Sequence, residues 1–395
     1  ERVAFGGSTT DVVGAAYSAS GIGRISLSNA NDSLVIGAGV TTDQTLVMQT
    51  SNDTVTASSY TGDLTVSIAE DDLDANDTIT SGSGSDILSI TFDDDTAGGG
   101  GDSLVAAEMA NVTGFETIVT ATNAVGELIL SDNNNVSSVL TISAANNTTD
   151  AFTLNASAEN DGTIVYIGGA GIDTVTGTTG ADTIGGGAGN DTIDGGAGND
   201  TITAGSGDDT IDGGDGTDTV NISQGLGTYG GSISNAEAVG ATLSATTGTI
   251  DMANLGVSTL TLSASAAVTT ATVKNVPDGS TLNLAEDLTL AGTTGTISAV
   301  SIDTVDSADV SIAVKANANA ATKANTTFAG TVSVADATGV TISTQGGSGV
   351  DNVLTHTFNA LTLDAADTTS LSISAAAYGG LNTGALDGAD SLETL

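Results

Sequence analysis

The stretch that decides the fold runs from Gly168 to Asn221 and reads GGAGIDTVT, GTTGADTIG, GGAGNDTID, GGAGNDTIT, AGSGDDTID, GGDGTDTVN. Six nonapeptides follow one another without a gap, each with Asp at its sixth place and Ile or Val at its eighth. The aspartates are Asp173, Asp182, Asp191, Asp200, Asp209 and Asp218. A flexible Gly/Asp-rich linker is the alternative, but a linker has no reason to keep an aliphatic residue at every ninth position. The period therefore indicates a repeat architecture.

Each nonapeptide predicts a tight turn followed by a short strand. Glycine at the first, second and fourth places permits positive φ and lets backbone carbonyls face inward at the turn. In the strand, the aliphatic side chain points into a narrow core and the Thr before it points outward. Two nonapeptides then close one 18-residue coil of a parallel β-roll, so that aspartates two repeats apart stack one strand spacing from each other.

Stacked carboxylates of this kind favour the binding of a cation. Two carboxylates about 4.8 Å apart repel each other by about 3.5 kcal/mol at an effective dielectric constant of about 20. Ca²⁺ takes roughly six to eight oxygen ligands, which carboxylates and turn carbonyls can supply together. We therefore expect calcium between the stacked aspartates.

The repeat resembles the G-G-x-G-x-D-x-U-x nonapeptide of RTX proteins, whose turns bind calcium through the Asp carboxylate and neighbouring backbone oxygens. The resemblance implies four complete sites, between the pairs Asp173/Asp191, Asp182/Asp200, Asp191/Asp209 and Asp200/Asp218. It also places these turn glycines at the sites: Gly169, Gly171, Gly187, Gly189, Gly196, Gly198, Gly205 and Gly207. Thr178 and Thr179 interrupt the second repeat and Ala204 opens the fifth, so the pattern is most regular around Asp191 and Asp200.

Looser copies of the pattern lie outside the array. One complete nonapeptide, GGSGVDNVL at 346–354, places a further candidate ligand at Asp351. Asp77 and Asp86 stand nine residues apart within 70–102 and predict calcium binding there, with an acidic solvated loop as the alternative. An EF-hand loop in the same stretch is excluded, because its sixth place is Asp77 instead of Gly.

The composition excludes several classes of function. The 395 residues include 48 Asp and Glu against 5 Lys and Arg, for a net charge of −43, so a basic surface for nucleic acid is not expected. With no Cys, the chain has no thiols for zinc sites, iron–sulfur sites or disulfides, and its one His does not support a His-cluster metal site. No run of about 18 apolar residues is present, so we expect no membrane span, and no signal peptide opens the chain.

A search for catalytic motifs also gives nothing, and we expect no enzymatic activity. The H-E-x-x-H and G-x-S-x-G patterns are absent from the sequence. The single imidazole, His356, alternates with apolar neighbours as a structural residue of a strand does.

The rest of the chain predicts short strands, because aliphatic residues alternate with Ser or Thr over four to eight positions. With aromatic residues at 3%, thin stacked coils bury the aliphatic side chains better than a thick core does. We predict an all-β fold: a parallel β-roll or β-solenoid, flanked by further β-helix-like or β-sandwich segments. The predicted segments are 1–104, 105–167, 168–224 (the roll) and 225–395.

The whole chain is most similar in style to RTX-type surface-layer (S-layer) proteins of Gram-negative bacteria, which are acidic, Cys-free β-solenoids. This resemblance implies type I secretion, a place on the cell surface, and calcium-dependent assembly with copies of itself. Cell-surface polysaccharide would be a further partner through an unseen anchor region, and the chain given is expected to be a processed or partial one. A calcium-dependent adhesin or filament subunit is the first alternative, and the RTX passenger region of a secreted enzyme or toxin is the second.

Overall fold

The computed structural model describes the chain in segments that include the whole of the array. The described residues are 2–4, 10–13, 23–92, 103–120, 125–134, 139–160, 162–224, 227–245, 247–264, 267–268, 270–285, 289–290, 293–294, 296–297, 299–315, 327–345, 354–363, 370–375, 379–382 and 385–387. The structure has two compact units, Glu1–Thr217 and Asp218–Leu395.

In the first unit, consecutive strands alternate between sheets, and each pairs in parallel with the strand one coil away. One sheet contains Arg2–Ala4, Arg24–Ser26, Gln44–Val47, Leu64–Ala69, Ile87–Thr91, Thr117–Thr120, Val139–Ser143, Thr163–Ile167, Thr183–Ala188 and Thr201–Ser206. A second contains Thr10–Val13, Ser33–Ile36, Thr54–Thr56, Thr78–Thr80 and Val112–Thr113. A third contains Ser103–Leu104, Gly126–Ile129, Phe152–Asn155, Thr174–Thr176, Thr192–Asp194 and Thr210–Asp212. Ala197–Gly198 and Asp215–Gly216 form a short pair in the turns.

The coil length is constant only within the array. Ile184 pairs with Ile202, which is the predicted interval of 18 residues. Nearer the N-terminus the interval varies, and it is 20 residues between Leu46 and Val66. Both stretches have the same parallel register, so the predicted parallel β-roll is confirmed, and the flanking coils of this unit are of the β-helix-like kind.

The core of this unit is a column of aliphatic side chains that widens before the array. Within the array the aliphatic positions, such as Ile193 and Ile202, are buried, and the Thr before each is exposed, as predicted. In the longer coils before it, Phe152 packs edge-on against Phe92 at 5.7 Å and stacks with Tyr166 at 6.5 Å. A coil with more residues encloses more space, and these rings fill it.

The second unit is also built from parallel strands. They are Thr219–Gln224, Gly227–Thr228, Ser232–Ser234, Ala238–Leu243, Thr247–Asp251, Thr259–Ala264, Ala267–Val268, Thr270–Val276, Ser280–Ala285, Thr289–Leu290, Thr293–Thr294, Thr296–Ile297, Ala299–Lys315, Thr327–Gln345, Leu354–Leu363, Ser370–Ala375, Gly379–Asn382 and Ala385–Asp387. The pair Thr289–Leu290 and Thr293–Thr294 is antiparallel.

Three strands of the second unit are longer than the four to eight residues that the sequence predicts: Leu354–Leu363 with 10 residues, and two much longer strands. Ala299–Lys315 has 17 residues and Thr327–Gln345 has 19. Their mutual register shifts between Asp303 and Asp309. Each long strand therefore consists of two ordinary strands joined at a bulge, which re-aims the side chains without ending the pairing.

Helical structure is slight in the described part of the chain. It comprises Ala106–Met109 and the 3₁₀ turns Glu70–Asp72 and Met252–Asn254. No helix among the described residues has the length and apolar character needed to cross a membrane. The predicted segment boundaries remain predictions.

Candidate functional site

The six aspartates of the array occupy equivalent places, each immediately before a strand. All are between 0% and 2% exposed: Asp173, Asp182, Asp191, Asp200, Asp209 and Asp218. The strand fixes each carboxylate, because the next residue is paired in parallel register with the coil on either side, as at Thr192. Burial of so many acidic groups is costly unless each is hydrogen-bonded or neutralised.

The five of these carboxylates that belong to the first unit form the two rows that the sequence predicts, and a hydrogen-bond ladder holds them there. Along one edge, the amide of Asp173 donates to Asp191 Oδ1 at 2.8 Å, and the amide of Asp191 donates to Asp209 Oδ1 at 2.9 Å. Along the other edge, the amide of Asp182 donates to Asp200 Oδ1 at 2.7 Å. One oxygen of each acceptor is therefore already engaged, which leaves Oδ2 as the oxygen that can face a cation.

At the first two aspartates, protein donors also engage Oδ2. The Tyr166 hydroxyl and the Gly169 amide donate to Asp173 Oδ2 at 3.1 and 3.2 Å. At Asp182, the Thr178 amide donates to Oδ2 at 2.6 Å and the Thr178 hydroxyl lies 3.0 Å from the same oxygen. Thr178, which interrupts the glycine pattern, thus supplies a donor that glycine cannot.

Asp191 differs, because its Oδ2 is buried and accepts no hydrogen bond. Burial, together with the nearby carboxylates of Asp209 and Asp173, raises the pKa of Asp191 to about 6. Burial also raises the pKa values of Asp173, Asp182 and Asp209. A cation beside Oδ2 would supply the positive partner that the Asp191 carboxylate lacks.

From the third repeat onward, the glycines at the second and fourth places adopt positive φ. Gly189 has φ +133° and Gly207 has φ +146°, and a side chain on either would meet the carbonyl of the glycine one coil earlier. The same backbone occurs at Gly187, Gly196, Gly198, Gly205, Gly214 and Gly216. Gly169 and Gly171 of the first repeat do not adopt it. Glycine is needed at these two places because a Cβ atom would meet a backbone carbonyl one coil earlier.

A glycine at the first place of a repeat does not adopt positive φ either, contrary to the prediction, and the fifth repeat has Ala204 at that place. At Gly186 and Gly195, a Cβ atom would meet the carbonyl one coil later and the Oδ2 of the repeat's own aspartate. Glycine is used there because the backbone and the carboxylate approach closely.

Asp77 and Asp86, the predicted ligands outside the array, are both fully buried. Asp77 Oδ1 accepts from the amide of Asp53 at 2.6 Å, and its Oδ2 accepts from the amide of Asp74 at 2.8 Å. Asp86 likewise accepts from the amides of Leu64 and Gly82, at 2.8 and 2.9 Å. The acidic solvated loop is therefore wrong for these two side chains. Asp351 lies outside the described residues.

At two positions a glutamate, instead of an aspartate, accepts the hydrogen bond from the amide of the preceding aspartate in the ladder. The sequence did not predict either of them. The amide of Asp86 donates to Glu116 Oε2 at 2.8 Å, and the amide of Asp218 donates to Glu237 Oε2 at 2.6 Å. The intervals of 30 and 19 residues hide both from a nonapeptide search. The signal that could have found them is the echo of the phrase NVTGFETI, which contains Glu116, in SISNAEAV, which contains Glu237.

No group of three or more His, Cys, Asp or Glu side chains converges as a metal centre among the residues that the structure describes. A cation at the array would therefore need backbone carbonyls beside its carboxylates. The glycine turns fit this need, because their carbonyls stack coil upon coil next to the aspartates. Fold and site together define a parallel β-roll with buried carboxylates in its turns.

Comparison with protein families agrees with this class. The model of the RTX calcium-binding nonapeptide repeat matches residues 72–97, 167–202 and 194–225. The chain therefore carries RTX calcium-binding nonapeptide repeats, and these repeats bind several calcium ions. Repeat regions of this family are generally non-catalytic, and proteins that carry them are typically secreted. Searches of curated proteins and of solved structures found no significant match.

Proposed function

We propose that this chain is a calcium-dependent extracellular surface-layer protein that assembles with copies of itself into a lattice on a bacterial cell. The observation that carries the proposal is the pair of buried aspartate rows, in which the Oδ2 oxygen of Asp191 accepts no hydrogen bond. From Ile25 to Val273 the sequence contains no Lys, Arg or His that could neutralise them. The role is structural, and no catalytic step is assigned to the chain.

The array makes folding depend on the calcium concentration, which is low in the cytosol and high outside the cell. In the cytosol calcium is scarce, so repulsion within the rows keeps the array unfolded and able to be exported. Outside the cell, sites with dissociation constants of about 10⁻⁴ to 10⁻³ M are filled at millimolar calcium. An ion that binds the folded chain alone shifts the equilibrium towards it, and several sites add their effects.

Assembly needs more calcium than the array holds. Four ions, each between two carboxylates, offset eight charges, and −43 plus 8 leaves −35 on every copy. Some of this charge lies in rows on the open sheet face, where Asp194 and Asp212 are paired in register. Copies so charged repel one another unless cations bridge their surfaces.

The test is electron microscopy of the purified chain with millimolar calcium, with magnesium, and with sodium chloride of matched ionic strength. We expect two-dimensional sheets in calcium only, because salt screens charge but does not bridge it. Fibres would indicate a filament subunit instead. Persistent monomers in calcium would contradict self-assembly and favour an adhesin or the passenger region of an enzyme.

A matched pair of variants separates folding from assembly. Asp191→Asn combined with Asp209→Asn removes buried carboxylates and should abolish both the calcium-dependent folding and the sheets. Asp194→Asn combined with Asp212→Asn removes the same charge from the open face and should leave folding intact. Sheets formed by the first variant would show that assembly does not depend on the array.

A further inference from the structure

A third row of buried aspartates lies outside the nonapeptide array. Asp32, Asp53 and Asp77 each immediately precede a strand of the same sheet, and they are 4%, 0% and 0% exposed. The amide of Asp32 donates to Asp53 Oδ1 at 2.9 Å, and that of Asp53 donates to Asp77 Oδ1 at 2.6 Å. The hydrogen bonds follow the same pattern as in the array, but the aspartates are 21 and 24 residues apart instead of 18. Asp32 and Asp53 lie outside the family match.

The two aspartates at the start of this row keep carboxylate oxygens that have no donor. Asp53 Oδ2 and Asp32 Oδ1 are buried and accept no hydrogen bond. Their other oxygens are fixed in place, since the Ser28 amide donates to Asp32 Oδ2 at 2.7 Å and the Ser51 hydroxyl lies 2.9 Å from Asp53 Oδ1. Each carboxylate is therefore fixed through one oxygen, while its second oxygen is buried without a donor and can bind a cation.

Several further oxygens converge at the same turn. Ser51 Oγ lies 3.1 Å from the carbonyl of Ala30, 3.4 Å from the carbonyl of Ser28, and 2.9 Å from Asp53 Oδ1. A hydroxyl has a single proton and can satisfy one of these three acceptors at a time. Carboxylate, carbonyl and hydroxyl oxygens in one place are the ligands that Ca²⁺ takes in proteins.

No Lys, Arg or His occurs in the sequence between Arg24 and Lys274, a stretch that includes this turn and the coils that follow it. No basic side chain of that stretch can therefore pair with the two buried carboxylate oxygens that have no donor. A cation from solution can take that place.

We propose that the turn formed by residues 28–32 and 51–53 binds one calcium ion, held by the carboxylates of Asp32 and Asp53 and the carbonyl of Ala30. The site uses neither the glycine turn nor the nine-residue spacing of the array. It does not rest on the proposed assembly, since an ion here would stabilise coils at the N-terminal end of the first unit in a monomer.

The experiment counts calcium ions on the 395-residue chain by native mass spectrometry at saturating calcium. Asp53→Asn keeps an oxygen for the Asp32 amide and should lose one ion relative to the wild type. Asp43→Asn is the matched control, because it removes the same charge from an exposed side chain and should lose none. The Asp191→Asn and Asp209→Asn double variant should lose ions from the array while the Asp53-dependent ion stays.

An equal ion count in Asp53→Asn and wild type would overturn the proposal, as would a site that takes magnesium but no calcium. If Asp53→Asn does not fold by circular dichroism, crystals of the wild type with calcium decide the question. An anomalous-scattering peak between Asp32 and Asp53 supports the site, and a map without one refutes it.

Discussion

The main determinant at the residue scale is the number of donors that each buried aspartate finds. Asp173 receives the hydroxyl of Tyr166, Asp182 receives that of Thr178, and Asp191 Oδ2 receives none. Aspartates at the same repeat position thus differ. Side-chain hydroxyls hold Asp173 and Asp182 in the first two repeats, whereas Asp191 Oδ2 in the third repeat has no hydrogen-bond donor. We infer that Asp191 depends more on calcium than Asp173 does.

Removal of the Tyr166 hydroxyl should therefore destabilise the first coil of the array even in saturating calcium. Tyr166→Phe leaves Asp173 Oδ2 with one donor fewer, and a hydrogen bond to a charged group contributes about 1.5–3 kcal/mol. Urea unfolding of the variant and the wild type in saturating calcium measures the loss. Equal stabilities would mean that calcium takes over the role of the hydroxyl.

Thr178 offers an independent check of the same idea. Thr178→Ser keeps the hydroxyl and should cost little, whereas Thr178→Val removes it at nearly constant volume. Equal stabilities of these two variants would show that the hydroxyl does not hold Asp182.

The turn glycines give a second prediction at this scale. Gly189→Ala should lower the free energy of unfolding by at least about 1–2 kcal/mol, because L residues are strained at positive φ and the added Cβ would meet the Gly171 carbonyl. Gly185→Ala is the matched control, since the nearest atom to its Cβ is the Tyr166 carbonyl at an ordinary 3.5 Å. Equal denaturation midpoints for the two variants would contradict this reading of the turns.

At the scale of the element, the turn and the strand after it form one unit that carries a buried, titratable group. Burial raises the pKa of Asp191 to about 6, above the ordinary Asp value of about 3.9. The folded roll therefore binds a proton more tightly than the unfolded chain does. Stability from this group is fully present below about pH 4 and is lost as the pH rises through about 6.

This sign predicts opposite pH dependences with and without calcium. In calcium-free dialysed protein, the melting temperature of the roll should rise as the pH falls from about 6 to about 4. In saturating calcium it should fall over the same window, because protons compete with the ion for the carboxylates. Thermal unfolding followed by circular dichroism tests both, and Asp191→Asn should weaken both slopes. The same direction in both conditions would contradict the account.

The sequence predicts elements well where the coil length is constant. Across the array, 18-residue coils keep every Asp and aliphatic residue in a visible nine-residue period, and the strand register follows from it. Outside the array, insertions of a few residues in the turns leave the coils stacked but abolish any fixed period. The ladder of Asp32 and Asp53 is therefore invisible to a search for repeats, although each Asp still precedes an aliphatic residue by two places.

Features that depend on contacts between coils could not be predicted either. Tyr166 reaches Asp173 because a longer coil leaves room for its ring beneath the first turn of the array. Glu116 replaces an aspartate where the interval stretches to 30 residues, since its longer side chain still reaches the amide of Asp86. The spacing of residues along the sequence does not reveal these distances between side chains of different coils.

For the whole molecule, the decisive property is a long stretch of sequence that contains no basic residue. From Ile25 to Val273 the chain buries carboxylates in at least three rows and contains no Lys, Arg or His. An internal ion pair is therefore unavailable to any of them in this stretch of sequence. Protons and solution cations are the remaining counter-charges, and near neutral pH the cation is the effective one.

The most direct test is hydrogen exchange on the 395-residue chain at about pH 7.5, in millimolar calcium and in EGTA. We expect amides of residues 183–217 to be strongly protected in calcium and to exchange within seconds in EGTA, with protection restored when calcium returns. Equal protection of these amides in the two conditions would contradict it, because the buried aspartates would then be held without any cation.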